Sequence, residues 1–152
     1  MKKLFTAASV AALMLCGPAN ATNICTVSLT TAQTATTYTA VNLGSKPQAL
    51  TIQSRFSYVA SAATSATMYI QTTIDGVNWI DIAAIQNTTS TTQQFVNVLG
   101  MTAVTTPTTY TDGALTANTT VAGVLGLQYR CKLTSVGTYG AGTTFTIDVQ
   151  PR

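Results

Sequence analysis

The chain has 152 residues and only 11 charged side chains, seven Lys/Arg and four Asp, with no Glu and no His. Soluble domains average about 25% charged; here threonine, with 32 copies, supplies most of the polarity. Without histidine there is no Ser-His-Asp or Cys-His nucleophile system and no His-ligated zinc or haem, and four Asp leave paired-carboxylate hydrolysis only a convergence of two.

A non-enzymatic protein without a cofactor is therefore expected. Leu, Ile, Val and Phe number 35, enough for a core, and the length suits one domain.

Residues 1–21, MKKLFTAASVAALMLCGPANA, have the anatomy of a secretory signal peptide. Lys2 and Lys3 form the positive start and Leu4 to Leu15 the apolar stretch. Gly17 and Pro18 break the helix, and Ala19-Asn20-Ala21 fits the cleavage rule. The stretch is too short to span a bilayer as a stable helix; the alternative to cleavage is a retained N-terminal helix packed in an assembly. Cleavage after Ala21 leaves five basic and four acidic groups, lowering the formal net charge from +3 to +1. No clustered Lys/Arg then marks a nucleic-acid surface. Arg130 and Lys132 lie close together, flanking Cys131, as on a solvated strand face.

Cleavage also removes Cys16. Cys25 and Cys131 remain, and two cysteines in an exported chain favour one disulfide, worth up to about 4–5 kcal/mol in the chain-entropy model. Alternation turns both inward, Cys25 with Val27 and Leu29, Cys131 with Tyr129 and Leu133. In a reducing compartment the same positions would hold two buried free thiols.

From residue 22 to 152 the pattern has period two, rich in Thr, Val, Ile and Tyr, and predicts a single all-β domain. Predicted strands are Ile24–Leu29, Thr37–Leu43, Ala49–Tyr58, Thr67–Ile74, Trp79–Ala84 and Gln94–Leu99. Val121–Leu127, Gln128–Ser135 and Thr143–Val149 follow, after a polar loop from Thr102 to Thr120. Eight or so short strands with good turn signals predict an antiparallel β-sandwich of jelly-roll type. The last two strands are expected to form a hairpin. Tyr129, Cys131 and Leu133 would share an apolar face with Phe145, Ile147 and Val149, and Arg130, Lys132 and Asp148 the polar one.

The most distinctive string is Thr73-Ile74-Asp75-Gly76-Val77-Asn78-Trp79, holding the single Trp of the chain. Asp75-Gly76 is a hairpin-turn signal. A three-residue loop, Asp75 to Val77, pairs Thr72 with Ile80 and Ile70 with Ile82. That register keeps Met68, Ile70, Ile80 and Ile82 on one core face. Trp79 then falls on the opposite face near Thr73, with Tyr69, Gln71 and Asp81 along the same side. There it is an interface anchor, a sugar-stacking platform, or a ring covered by a loop such as 102–120. Asp75 is placed to cap its turn rather than to ligate calcium, because no second acid lies at loop-ligand spacing. Asp112-Gly113 likewise reads as a turn. Asn87-Thr88-Thr89 and Asn118-Thr119-Thr120 match the glycosylation acceptor pattern, as chance supplies in so Thr-rich a chain.

The T-x-D-G-x-x-W string resembles the sialidase Asp-box less one residue, and also the S-x-D-G-x-x-W hairpin of discoidin-like jelly rolls; neither carries catalysis. A broader resemblance rests on Thr67–Ala84, TMYIQTTIDGVNWIDIAA, and Gly123–Val149, GVLGLQYRCKLTSVGTYGAGTTFTIDV. These stretches look like small β-sandwich proteins of tailed phages and prophages, thought to act as capsid decoration, head-fibre or tail accessory components. The resemblance implies a structural protein that self-associates or docks on a capsid or filament lattice. Joined to the signal peptide, it points to an exported protein, periplasmic, extracellular or on a virion surface. The alternative is an exported glycan-binding module or adhesin with Trp79 and Tyr69 as its platform.

Overall fold

The computed structural model describes residues 20–107 and 109–152. Most of the expected signal peptide 1–21, with Cys16, therefore lies outside the described residues. Ten strands follow: β1 Thr22–Leu29, β2 Thr36–Thr37, β3 Val41–Asn42, β4 Ala49–Ser57, β5 Ser65–Thr73, β6 Trp79–Asn87, β7 Thr92–Leu99, β8 Thr119–Thr120, β9 Gln128–Val136 and β10 Thr143–Pro151. Sheet 1 has the order β1-β10-β4-β7. Sheet 2 has the order β2-β9-β5-β6-β8, and β3 also pairs with β9. All pairings are antiparallel. Counting β2 and β3 as one interrupted strand and leaving β8 aside, this is the interleaved eight-strand order of a jelly roll, as the turn spacing implied.

The core forms where the two inner faces meet. Val27 and Leu29 of β1, Ile52 and Phe56 of β4 and Phe145, Ile147 and Val149 of β10 face Met68 and Ile70 of β5 and Tyr129, Cys131 and Leu133 of β9. Cys25 and Cys131 are bonded, with Cα atoms 6.3 Å apart. The bond crosses the sandwich, from an edge strand of sheet 1 to the interior of sheet 2.

The topology corrects the expected last hairpin. β9 and β10 are consecutive but lie in different sheets: β9 pairs with β5, and β10 with β1 and β4. Two strands with apolar faces turned toward each other across a core show the same alternation as two strands side by side. Gly137 at φ +94° makes the crossing, where a Cβ would stand 2.4 Å from the Ala62 carbonyl oxygen. Asp148 accordingly pairs with Arg55 of β4 instead of the β9 cations.

Three smaller departures have local causes. The expected strand Thr37–Leu43 is split, because the register against β9 slips by one residue between Thr37↔Lys132 and Val41↔Tyr129. Val121–Leu127 forms no strand. Its amides bond to three different elements, Val121 to Ile82, Gly123 to Leu99 and Gly126 to the Thr72 hydroxyl. At the Asp75-Gly76 hairpin, Thr73↔Trp79 and Thr72↔Ile80 pair as expected. A bulge at Ile82 then sets Ile70 opposite Ala83. Ile82 stays fully buried, whereas Ile80 is only half-buried.

Candidate functional site

The outer face of sheet 2 gathers the residues of interest. Gln71 of β5 lies between Asp81 of β6 and Arg130 of β9, and Tyr69 lies beside Lys132. Trp79, Gln71 and Asp81 thus share one face, but Gln71 and Asp81 are shut off from solvent. The cover is the segment 110–115, from the long loop after β7.

Asp81 holds that cover in place. Its Oδ2 accepts from the Thr111 hydroxyl at 2.7 Å and from the amides of Gly113, Ala114 and Leu115 at 2.8, 3.1 and 3.2 Å. Its Oδ1 accepts from Gly113 N at 2.9 Å and from Gln71 Nε2 at 2.8 Å, and its own amide donates to the Thr111 carbonyl. A buried carboxylate needs such donors, since an unpaired one would be strongly disfavoured. Gly113, at φ +80°, turns the backbone in the left-handed region where its amide reaches the carboxylate.

The network continues outward. Gln71 Nε2 also donates to Asp112 Oδ1 at 2.7 Å, and Arg130 Nε donates to Gln71 Oε1 at 2.8 Å. Lys132 Nζ donates to the Asp112 carboxylate at 2.9 Å and to its carbonyl at 3.0 Å. Arg130 lies 3.6 Å from the same carboxylate, and its guanidinium carbon stands 4.3 Å from the centre of the Trp79 ring. Asp81, Asp112, Arg130 and Lys132 make a neutral cluster. The Lys132 hydrogen bond holds the Asp112 carboxyl below its ordinary value, burial lowers the Arg130 guanidinium, and burial followed by the Asp81 charge raises the Tyr69 phenol.

Asp75 behaves as a turn cap. Its Oδ1 accepts from the amides of Val77 and Asn78 and from the Thr73 hydroxyl, and Oδ2 from the Asn78 side chain. Those amides hold its carboxyl far below the usual carboxylate range. Gly76 takes φ +78°. The oxygens of Asp75 and Asp81 are bonded to separate sets of donors. Among the described residues, no three His, Cys, Asp or Glu come together as a metal site.

Two large apolar side chains flank the capped turn at the hairpin tip. Ile74 and Val77 are each 77% exposed. A groove of 430 Å³ lined by Ile74, Leu125, Leu127 and Lys46 flanks the tip, as does one of 290 Å³ lined by Ile74, Ile80, Tyr110 and Val124. A second exposed apolar group, Phe95, Leu99 and Met101, lies on β7 and just beyond it. Of the acceptor asparagines, Asn118 is exposed and Asn87 is buried.

The alternation puts Arg130 and Lys132 on an outward face, but nothing in the local sequence connects them to Gln71 and Asp112. The missing step is the adjacency of β9 and β5, a consequence of jelly-roll order rather than of any local motif. No protein-family model matches the chain, and neither a curated protein nor a solved structure matches it.

Proposed function

We propose that this is an exported, non-enzymatic structural protein that assembles on or decorates a particle or filament, in the manner of the phage accessory proteins it resembles. The observation that carries this reading is the make-up of its surface. Few charges are available to be desolvated on contact, and of those present four neutralise one another around Asp81 and two more pair as Arg55 and Asp148. Large apolar side chains are instead exposed, Ile74 and Val77 at the hairpin tip and Phe95 and Leu99 along β7 foremost among them. The buried Cys25–Cys131 bond agrees with an oxidising compartment. Among the described residues no helix is long and apolar enough to cross a membrane. Jelly rolls serve capsids and lectins alike, so the fold does not choose between functions.

The test is fractionation of particles and filaments from the producing cells or their lysates, probed with an antibody to the chain. Co-purification in fixed stoichiometry is expected; absence from every such fraction, with a monomer at high concentration, refutes the reading. The second reading, a glycan-binding module, draws support from the half-exposed ring of Trp79. Against it stand Arg130 over that ring and the loop over Gln71 and Asp81. Glycan-array binding lost in Trp79→Ala with the fold intact would favour it.

A further inference from the structure

We propose that β7 pairs edge to edge with β7 of a second copy of this chain, antiparallel and centred on Phe95. This rests on the assembly reading above and names its contact.

Edges decide where strands recruit strands. Sheet 2 ends in the two-residue strands β2, β3 and β8, which offer little ladder. In sheet 1, β1 carries a bulge at Ile24, between Asn23↔Asp148 and Cys25↔Ile147. The other edge, β7, is different. It runs in unbroken register against β4 from Phe56↔Thr92 to Ala49↔Leu99, and its other side pairs with no strand among the described residues, the Leu99 carbonyl alone being taken there by the Gly123 amide. Its sequence, TQQFVNVL, has no charge and no proline. It therefore lacks the charges, prolines and bulges by which edge strands usually avoid pairing. Its outward face shows Phe95, 63% exposed, and Leu99, 55% exposed. A groove of 340 Å³ opens beside it, lined by Gln94, Phe95 and Val96 on one side and Ile85 and Thr119 on the other.

The strand is complementary to itself. With Phe95 opposite the Phe95 of the second copy, Gln93 meets Asn97 and Thr92 meets Val98, so both outward faces stay on one side and residues 92–98 enter the ladder, while Leu99, whose carbonyl accepts from Gly123, stays outside it. An aromatic pair then sits on the two-fold axis. The nearest cation, Arg55, is opposite Gln93 on β4 and already bound to Asp148; no like charges oppose one another. The product is a continuous eight-stranded sheet. An edge ladder of this size lies at the low end of specific interfaces, about 1,000 Å², so a weak dimer is expected that a lattice would reinforce.

Sedimentation equilibrium of the full chain over a wide concentration range tests this, with circular dichroism confirming the fold of each variant. A reversible dimer is expected that weakens at least tenfold in Phe95→Lys and is unchanged in Val77→Lys, which adds the same charge at the hairpin tip. Phe95→Cys is expected to form a covalent dimer in air and Gln93→Cys much more slowly, because only residue 95 meets itself. A wild-type monomer at all concentrations, a dimer indifferent to Phe95→Lys, a dimer lost in Val77→Lys instead, or equal cross-linking of the two cysteine variants overturns the pairing. Phe95→Lys that still enters the native particle removes the edge contact and leaves the assembly reading intact. A Phe95-dependent dimer absent from every particle does the reverse.

Discussion

Gln71 and Asp81 face one another across β5 and β6, and the amide of the first donates to the carboxylate of the second at 2.8 Å, with neither side chain more than 1% exposed. The amides of Gly113, Ala114 and Leu115 converge on that carboxylate from the loop above. An ionised carboxylate accepts only, which matches a surround made entirely of donors. One ion thus fastens the long loop to the outer face of sheet 2.

Asp81→Asn keeps the shape and replaces one acceptor oxygen with an NH₂ donor. Whichever way the amide is turned, that donor meets N–H groups, so hydrogen bonds are lost and a buried donor is left unsatisfied. The expected cost is about 2–4 kcal/mol in urea unfolding. Amide-exchange protection should vanish at Gly113, Ala114 and Leu115 while β9 and β10 keep theirs. Undiminished protection at those three amides would mean that the loop is held by other contacts.

The Cys25–Cys131 bond spans 106 residues of sequence and joins the two sheets. Replacing both cysteines with Ala is expected to leave the fold intact and to remove about 2–5 kcal/mol of stability. Ala is the better probe than Ser, since a hydroxyl at these buried positions would add its own desolvation penalty. Denaturant unfolding of the oxidised protein and the double variant measures the difference. Equal midpoints would show that the bond adds nothing to the packed sandwich.

How a side chain points was legible from the sequence; which strand lies beside it was not. The pleat turns alternate residues to opposite faces, so the alternation points Val27, Leu29, Leu133, Phe145 and Ile147 inward, and they are buried. The same alternation suits a hairpin or a crossing between sheets, and so it does not tell whether Tyr129–Leu133 and Phe145–Val149 are neighbours in one sheet or face each other across the core. Bulges such as the one at Ile82 leave no sequence signal, because the inserted residue is as apolar as those around it. The common face of Trp79, Gln71 and Asp81 followed from the Thr73↔Trp79 register. Its cover had one usable clue. A lone acid inside Trp-Ile-Asp-Ile-Ala-Ala-Ile must find donors, and Thr111-Asp112-Gly113 is a turn able to present them.

Stability should be flat between about pH 5 and 8, since no histidine is present. On the acid side, the hydrogen bond from Lys132 holds Asp112 below its ordinary value, and the amides of Asn78 and Val77 hold Asp75 far below it. The unfolded chain then binds more protons as pH falls below about 4, so this contribution, complete above the unfolded value, is lost through the depressed folded ones. On the alkaline side, burial pushes Tyr129 up to about 12 from 10.0. Its contribution is complete below pH 10 and is lost as pH rises from there to about 12. Thermal midpoints across this range are expected to give a plateau with two falling limbs, the acid limb shallower in Asp112→Asn. A step between pH 6 and 7 would contradict this assignment.

Trp79, the single Trp of the chain, reports on the cluster directly. The guanidinium of Arg130 stacks over its ring while its Nε holds the buried Gln71 carbonyl oxygen. Lysine keeps the charge but not the planar stack or the fixed fork of donors. Arg130→Lys is therefore expected to cost about 1–2 kcal/mol and to shift Trp79 emission to the red as water reaches the ring. Arg130→Met should shift it further, because Asp112 also loses a cation and Gln71 loses its donor outright. The shift separates two ways of covering the ring. If emission stays at the wild-type wavelength in Arg130→Lys but moves in Asp81→Asn, the loop covers the ring and the guanidinium only decorates it. If it moves in both, stack and loop form one unit, and a sugar could reach Trp79 only by displacing the pair.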